Sequence, residues 1–364
     1  MPTFIPGLEL SKAFYLDAVR PIIEAKFPRL QYAAGLIGPG SEVLGFDDEM
    51  SSDHCWGPRL LFFLASEDPD LASSLDTAFR RNLPPVFRSY PTNMSDPDPA
   101  DNGTWRLEPN VGEINHAVQI ETLGKYLLDH LGLDIAEELD AIDWLTLPSQ
   151  KLRTLSPGNI FHDDIRCRQV LNRFAYYPDD VWLYLLAAEW NRIGQEEHLM
   201  GRAGSVGDEI GSAILASRLV RDLMRLCFLM EKEYAPYPKW FGTAFSRLAC
   251  ASELSPIFVE VLAARSWKER EGHLINAYER VAAMNDNLGI TPTVGAKAGD
   301  FFGRPFKVIH LHGKFSELIA EQIQDPVLRR LAMNYPIGSI DQISDNTDLL
   351  SNPRYRTILR NLYS

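Results

Sequence analysis

Hydrophobic positions in the first 150 residues alternate between helical and strand spacing. Apolar residues three and four apart predict an amphipathic helix over residues 8–26. Two apolar runs of strand length, residues 32–37 and 60–64, predict buried strands, because a strand covered on both faces is apolar throughout. Asp68 followed by proline predicts the start of the next helix. The remaining elements predicted in this part are strands at 86–90 and 116–120 and a helix at 122–131.

The pattern changes near residues 150–165, where prolines and a glycine interrupt the chain, and helical spacing dominates beyond them. Helices are predicted from Pro178, over 206–232, from Ser255, and from Ser266 to near Gly289. The sequence therefore predicts an α+β fold. A mixed sheet with helices, residues 1–150, precedes an all-helical bundle, residues 151–364, with an irregular C-terminal tail.

Composition narrows the range of partners. The 364-residue chain has a formal net charge of −13 without a long basic run. Proteins that cover nucleic acid draw most of their affinity from neutralised phosphates, so an extended nucleic-acid surface is disfavoured. A small, locally positive cleft for a nucleotide remains compatible with this charge.

Cysteine usage and the apolar runs indicate a compartment. The four cysteines lack CxxC spacing, which favours reduced thiols over disulfides or zinc. The N-terminus has no signal-peptide pattern, and no apolar run approaches the roughly 20 residues that span a bilayer. We therefore expect a cytoplasmic protein without a membrane partner.

A glycine–serine turn and a serine–aspartate pair carry the candidate chemistry. Gly40-Ser41 follows the strand predicted at 32–37, and Ser52-Asp53 precedes the strand predicted at 60–64. Such a turn offers backbone N–H groups and a hydroxyl to phosphate, because glycine lets the backbone approach closely. Carboxylates two residues apart on a strand share a face and bind Mg²⁺ together. The order predicts phosphate binding at the turn and metal binding at Asp53, the alternative being an ordinary turn and an acidic loop.

This motif order is typical of nucleotidyltransferases. The segment 40–59 resembles an uncharacterised family of that superfamily, the domain-of-unknown-function 4037 family. Later stretches that resemble the same family are 145–148, 161–163, 176–182, 190–197, 201–202, 207–208 and 234–240. The resemblance covers roughly residues 30–345. It implies a nucleotidyltransferase domain followed by a helical domain of the kind found in antibiotic nucleotidyltransferases, and it supplies no substrate.

The chain departs from the family pattern at Cys55, where the resemblance implies an aspartate and hence a metal ligand. Mg²⁺ prefers oxygen to sulfur, so we expect weakened metal binding. Loop carboxylates, Asp48 among them, are candidates to replace it. Glu121 is the candidate third carboxylate, with Glu113 a weaker one, and Arg59 is a candidate phosphate ligand whose alternative is a structural salt bridge.

Polar residues that interrupt the helical half are candidates for binding the acceptor. Arg192, Arg202 and Asp208 are candidate substrate contacts, and Glu196 or Asp208 is the candidate general base. The alternative for this group is a salt-bridge network. Lys239 is a candidate triphosphate contact, or else a lysine packed along aromatic side chains.

Two histidine patterns are weaker candidates for a site. Arg192 and His198 match the loose spacing of a helical ribonuclease family, which chance also produces on charged helices. His310 and His312 form a candidate metal pair on a strand without a third ligand nearby.

The function expected is transfer of a nucleoside monophosphate from an NTP, with ATP the first choice, to a small-molecule or protein acceptor. Mg²⁺ is the expected cofactor. The alternative, favoured by Cys55, is a non-catalytic protein that kept the fold and senses a nucleotide or binds a partner.

Overall fold

The structure is a computed structural model that describes residues 4–101 and 103–363. The chain divides into two compact units. Unit 1 comprises Met1–Glu138 and Lys151–Ala175, and unit 2 comprises Leu139–Gln150 and Tyr176–Ser364. The sequence predicts a single boundary at residue 150, whereas in the structure each unit consists of two segments. The reason is that residues 151–175 supply a strand to the sheet of unit 1.

The regular elements are numbered along the chain. The strands are β1 (Tyr32–Gly35), β2 (Arg59–Leu64), β3 (Val86–Phe87), β4 (Tyr90–Pro91), β5 (Ala117–Thr122), β6 (Ile160–Asp163), β7 (Gly299–Phe301) and β8 (Arg304–Val308). The helices are α1 (Gly7–Phe14), α2 (Arg20–Lys26), α3 (Pro69–Asn82), α4 (Leu123–Leu131), α5 (Ala141–Leu145), α6 (Ser149–Leu152), α7 (Cys167–Leu171), α8 (Asp179–Ser205), α9 (Glu209–Met230), α10 (Phe241–Phe245), α11 (Ala251–Ala263), α12 (Trp267–Asn287), α13 (His310–Gly313), α14 (Phe315–Ala320), α15 (Pro326–Asn334), α16 (Ile340–Ile343), α17 (Thr347–Ser351) and α18 (Arg356–Leu359).

Unit 1 is built on a four-stranded mixed sheet in the order β5-β2-β1-β6. β1 is antiparallel to both neighbours, whereas β2 and β5 are parallel. In the parallel pair Arg59 lies opposite Ala117 and Phe63 opposite Glu121. The end of β1 at Gly35 lies beside Leu61, so the loop after β1 leaves the sheet at the end where β2 and β5 begin. This end of the sheet is where the candidate turn is expected.

The amphipathic helix predicted at 8–26 is confirmed as α1, a π-helical turn at Tyr15–Val19, and α2 in succession. Its apolar face joins the core of unit 1 through Leu10, Phe14 and Val19, which are fully buried. The apolar run at 60–64 is confirmed as part of β2, which is buried along five consecutive residues. Burying such aliphatic and aromatic side chains stabilises a fold by about 1.5–3 kcal/mol each.

Helix starts follow the capping residues that the sequence shows. Asp68 accepts a hydrogen bond from the N–H of Leu71 at the start of α3. Ser266 and Glu269 form the reciprocal capping box of α12. These side chains satisfy N–H groups that have no partner within the helix, which accounts for the accuracy of both starts.

The motif Ser52-Asp53-x-Cys55 does not form the strand on which two carboxylates would share a face. Met50–Asp53 forms a 3₁₀ helix, and β2 begins only at Arg59. The serines at 51 and 52 bond back into the turn, Ser51 Oγ to Asp48 and Ser52 Oγ to the carbonyl of Glu49. Such local side-chain bonds offer the backbone an alternative to a sheet ladder.

Unit 2 is mostly helical, but the expectation of an all-helical domain is wrong, because β7 and β8 form an antiparallel hairpin. The two longest helices, α8 and α9, pack against each other, and α14 and α15 pack on α8. The expected C-terminal tail consists of short helices, α16 to α18, with 3₁₀ turns at Pro353–Tyr355 and Arg360–Tyr363. Within the described residues, no helix is both long and apolar enough to cross a membrane.

A histidine on α4 makes the stability of unit 1 depend on pH. Burial, with a contribution from Lys151, lowers the pKa of His130 to about 4. The native state then binds fewer protons than the unfolded state between that value and about 6.5, so stability falls as the pH is lowered through this window. We expect His130 to titrate near pH 4 by NMR, and its pKa to rise in Lys151→Met.

The matched control is Lys125→Met on the same helix, whose ammonium pairs with Asp129 and Glu121. It should leave the titration of His130 unchanged. A His130 that titrates near 6.5 in the wild type would contradict the burial argument.

Candidate functional site

The turn that follows β1 is held by an ion pair. The Nε of Arg59 donates to Glu42 Oε1 at 2.7 Å, and its Nη2 donates to the carbonyl of Pro39 at 2.7 Å. Glu42 is buried, with 3% of its side chain exposed. Because a buried carboxylate without a partner is strongly unfavourable, the pair fixes the turn against the first residue of β2. Arg59 is therefore a structural ion-pair residue, as one of its two interpretations proposed.

Gly40 is required by this ion pair. Its φ is +142°, a conformation that side-chain-bearing residues rarely adopt. A Cβ at this position would lie 2.5 Å from Arg59 Nη2 and 2.5 Å from Glu42 Oε2. The following residue, Ser41, is half-buried, and its carbonyl accepts from the N–H groups of Leu44 and Phe46. The loop thus closes on itself beside Arg59.

A cleft of about 270 Å³ opens at the same end of the sheet. It is lined by Arg59, Leu61, Met94, Trp105, His116 and Gln119, among others. Arg59 is the one lining residue with a permanent charge, and no carboxylate lines the cleft within the described part of the chain. Among the described residues, Nη1 of Arg59 has no hydrogen-bond acceptor. The cleft is therefore suited to an anion.

His116, Trp105 and Gln119 were not predicted as site residues. His116 is buried, its Nδ1 accepts from the N–H of Val118 at 3.1 Å, and burial lowers its pKa. The imidazole is consequently neutral at pH 7 and adds no charge to the cleft. The parallel pairing of β5 with β2 places His116 and Gln119 near Arg59, and periodicity alone does not reveal which strands are neighbours.

Asp53 is not placed as a metal ligand. Its side chain is 63% exposed, and its Oδ1 lies 2.5 Å from Nδ1 of His54. Ser52 bonds to the backbone of its own turn. Neither residue lines the cleft, so the structure does not bring Asp53, the candidate metal ligand, or Ser52, a candidate nucleotide contact, together with it.

Cys55 lies next to the cleft through its backbone, since its N–H donates to the carbonyl of Trp105 at 2.9 Å. Its φ is +49°, in the left-handed region. Among residues with a side chain, aspartate and asparagine adopt that region most readily. The aspartate implied by the family resemblance therefore suits the backbone here better than cysteine does.

The acidic loop residues have structural roles. Asp47 Oδ2 accepts from the N–H of Gly7 at 2.6 Å and from Trp56 Nε1 at 3.0 Å, which ties the loop to the start of α1. Asp48 Oδ1 accepts from the N–H and the hydroxyl of Ser51 at 2.9 and 3.0 Å. Asp48 thus caps a local turn, and the expectation that it replaces the missing metal ligand is not supported by its contacts.

Glu121 lies at the wrong end of the sheet for a third metal ligand. It pairs with Phe63, four residues along the strand from the Arg59–Ala117 pair, which is about 13 Å at strand spacing. Its carboxylate accepts from Gln119 and lies 3.6 Å from Nζ of Lys125. The residues of β5 that line the cleft are Ala117, Val118 and Gln119, none of which carries a charge. Glu113 pairs with Arg81 and is exposed.

The donor set does not fit a Mg²⁺ site. Within residues 4–101 and 103–363, no three His, Cys, Asp or Glu side chains are grouped as a metal site requires. A divalent magnesium site in nucleotide chemistry needs one or two carboxylates beside the phosphates. The carboxylates near the turn are instead bonded to backbone N–H groups, to an indole or to a histidine.

In unit 2, two of the candidate polar residues belong to ion pairs between α8 and α9. Arg192 Nε bonds to the buried Asp222 at 2.9 Å, and its Nη1 donates to the carbonyl of Gln342 at 2.8 Å. Glu196 pairs with Arg218. These contacts correspond to the salt-bridge alternative for the group.

The remaining candidates are separate from one another. Asp208 caps α9 by accepting from the N–H of Gly211 at 2.7 Å. Arg202 is exposed in the last turn of α8, where a cation favours the helix dipole. Lys239 is exposed with its Nζ 4.7 Å from the ring of Trp240, as expected for a lysine packed along an aromatic side chain.

The histidine patterns do not form sites. His198 is six positions after Arg192, which places the two residues about 120° apart around α8. His198 stacks on Phe301 with ring centroids 4.1 Å apart. His310 and His312 lie on the short helix α13 and not on a strand, and His310 is 3.6 Å from Glu317.

Comparison with known proteins relates one stretch of the chain to a protein family. Residues 144–241 match the model of a family described as a domain of unknown function (DUF4037), which supports the relationship inferred from the sequence for that stretch. The matched residues include α8 and α9. No curated protein and no solved structure matches the chain.

Gly40→Ala should destabilise the protein by about 2–3 kcal/mol, because it combines a positive φ with overlap onto the buried ion pair. Chemical denaturation measures the difference. The control is Gly112→Ala, where φ is +117° and nothing lies within 4 Å of the added Cβ. It should cost about 1 kcal/mol. Equal losses would show that overlap with the ion pair contributes nothing.

Proposed function

We propose that unit 1 binds a nucleotide, ATP in the first instance, through its phosphates and without a metal ion. In this proposal the protein is a nucleotide-sensing or partner-binding relative of the nucleotidyltransferases. The observation that carries it is the cleft at the start of β2 and β5, which contains Arg59 and no carboxylate. The order of strand, glycine–serine turn and second strand supports the relationship to that superfamily.

The charge of the cleft explains why a metal would be dispensable. Triphosphate binding by nucleotidyltransferases needs cations because the carboxylates of the site repel the phosphates. A cleft lined by an arginine, a neutral histidine and an amide has no carboxylate on its wall, which reduces this repulsion. The free Nη1 group of Arg59 offers a charge-assisted hydrogen bond to a phosphate oxygen.

Glu42 has two effects on this site. It holds the guanidinium in place through a 2.7 Å contact, and its negative charge offsets the positive charge of Arg59. We therefore expect modest affinity for ATP in the wild type. Neutralising Glu42 should strengthen anion binding as long as Arg59 remains, because the offsetting charge is removed.

Calorimetry with ATP tests this function. The wild type should bind ATP as well in EDTA as in Mg²⁺. Glu42→Gln, which keeps the guanidinium, should bind equally or more tightly. The double variant Glu42→Gln/Arg59→Gln should lose about tenfold to a hundredfold in affinity, the value of one or two charge-assisted hydrogen bonds.

The double variant avoids the buried, unpaired carboxylate that Arg59→Gln alone would create. Asp53→Asn is the matched control, since Asp53 is exposed and does not line the cleft, and it should bind ATP like the wild type. ATP binding that requires Mg²⁺ and is lost in Asp53→Asn would contradict the proposal. So would the absence of ATP binding in wild type and Glu42→Gln alike.

The second candidate function is Mg²⁺-dependent transfer of a nucleoside monophosphate from ATP to a small-molecule or protein acceptor. The left-handed conformation of Cys55, which favours aspartate, supports a relative that carried a carboxylate at this position. Cys55→Asp should fold. If the second candidate function is right, this variant should release pyrophosphate from ATP in the presence of Mg²⁺ faster than the wild type does. No pyrophosphate from Cys55→Asp, with ATP binding intact, excludes this candidate in favour of the first.

A further inference from the structure

A second cavity lies entirely within unit 2 and has a volume of about 350 Å³. Its walls come from α8, α9, the loop at 233–238 and the segment at 339–345. Cavities that bind small ligands begin at roughly 300 Å³. Most of the lining residues fall within the stretch 144–241 that matches the family of unknown function. The inference drawn from this cavity does not rest on the function proposed for unit 1.

Aromatic side chains form much of the wall. Tyr177, Phe228, Tyr234 and Phe241 line the cavity, together with aliphatic residues and prolines. Tyr177 and Tyr234 pack edge-to-face with ring centroids 4.9 Å apart. Such rings offer apolar contact, and their faces attract a cation because of the ring quadrupole.

Glu189 contributes a buried oxygen that lacks a partner. The residue is 0% exposed and lines the cavity. Its Oε2 accepts from Gln342 Nε2 at 2.5 Å, whereas Oε1 has no hydrogen-bond partner among the described residues. An unsatisfied buried group of this kind costs about 1–3 kcal/mol, and more when it is charged.

The amide of Gln342 cannot rotate to donate to Oε1 of Glu189, because its other hydrogen bonds fix its orientation. Its Nε2 also donates to the carbonyl of Leu185 at 3.0 Å, and its Oε1 accepts from the N–H of Ser339 at 2.9 Å. The amide orientation is therefore fixed by three bonds. Among the described residues, Glu189 Oε1 therefore has no donor if the carboxyl group is ionised, and its O–H has no acceptor if the group is protonated.

The charges around the cavity favour a cationic partner. Four carboxyl residues line it, Glu189, Glu233, Asp341 and Asp345, against two arginines, Arg221 and Arg225. Both guanidiniums are bonded to Asp345, and Arg221 also bonds to Asp222 at 3.2 Å. Asp341 accepts from the N–H of Ser149 at 2.8 Å. The lining thus has more carboxyl groups than guanidiniums, and both of its guanidiniums are already paired with other carboxylates.

We propose that this cavity binds a small organic cation, a protonated amine with an apolar body. Its ammonium group donates to Oε1 of Glu189, and its apolar body lies against the aromatic wall. An ammonium group supplies both the missing hydrogen-bond donor and the missing charge. A carboxylate or phosphate ligand would add to the negative charge already there.

The protonation of Glu189 provides a second readout. Burial and the neighbouring Asp222 raise the pKa of Glu189 to about 7, against the opposing effect of Arg225 and Arg192. Burial also raises the pKa of Asp341, which lines the same cavity. An ammonium ion bound at Oε1 stabilises the carboxylate, so binding releases a proton near neutral pH and tightens as the pH rises from 6 to 8.

The test uses the full chain and matched probes of one shape. Phenethylammonium, 2-phenylethanol and 3-phenylpropionate present a cation, a neutral hydroxyl and an anion on the same ring. Calorimetry at pH 7.5 should show that the ammonium probe binds at least tenfold more tightly than the other two. Titrations in buffers of different ionisation enthalpy should show proton release for the ammonium probe. Tryptamine and cyclohexylmethylamine test whether the apolar body must be aromatic.

Glu189→Gln keeps the shape and the bond from Gln342 while removing the charge. It should reduce binding of the ammonium probe at least tenfold, abolish proton release and leave the neutral alcohol unaffected. The matched control is Glu197→Gln on the same helix. Glu197 is also buried with a pKa raised to about 7, but it accepts from Ile309 and does not line the cavity. It should bind the probe like the wild type.

Asp341→Asn provides a second variant in case Glu189→Gln fails to fold, and it should reduce amine affinity by a smaller factor. The proposal is overturned if Glu189→Gln binds the ammonium probe as tightly as the wild type. It is equally overturned if the alcohol or the carboxylate binds best, or if none of the three amines binds at millimolar concentration.

Discussion

The parallel pairing of β2 with β5 is the constraint on which the candidate site of unit 1 depends. Its register sets Arg59 opposite Ala117, and this brings His116 and Gln119 to the same end of the sheet as the turn after β1. The same register carries Glu121 to the far end. One alignment of two strands therefore decides which side chains meet at the cleft and which are separated.

The buried pair of Glu42 and Arg59 then fixes the turn after β1 against the first residue of β2 at that end of the sheet. Breaking a buried ion pair by removing one partner costs about 3–5 kcal/mol, so each residue constrains the other. Gly40 is the backbone position that makes room for them. The turn that resembles a catalytic phosphate turn is thus also held by a structural ion pair. The two interpretations of Arg59, a phosphate ligand and a structural salt bridge, are compatible.

The elements with a strong local signal were predictable from the sequence. The helix over 8–26, the buried β2 and the capped start of α12 follow from periodicity and capping chemistry, which act over a few residues. The candidate site was predicted less well, because it depends on strand neighbours and on side-chain partners distant in the chain. The motif suggests a metal ligand at Asp53, whereas serine and aspartate bonds within the loop produce a 3₁₀ turn that leaves this side chain exposed. The cavity of unit 2 gave no local signal, since Glu189 and Gln342 are 153 residues apart.

That separation has a consequence for how the protein is made. A ribosome completes α8 well before it adds the segment around Gln342, and contacts between such distant residues form only after a large loop has closed. A nascent chain ending near residue 240 would expose Glu189 and the neighbouring aromatic rings to water. The segment at 339–350 thus completes a chamber whose other walls are synthesised first, and Glu189 is protected from water only after that segment has folded against them.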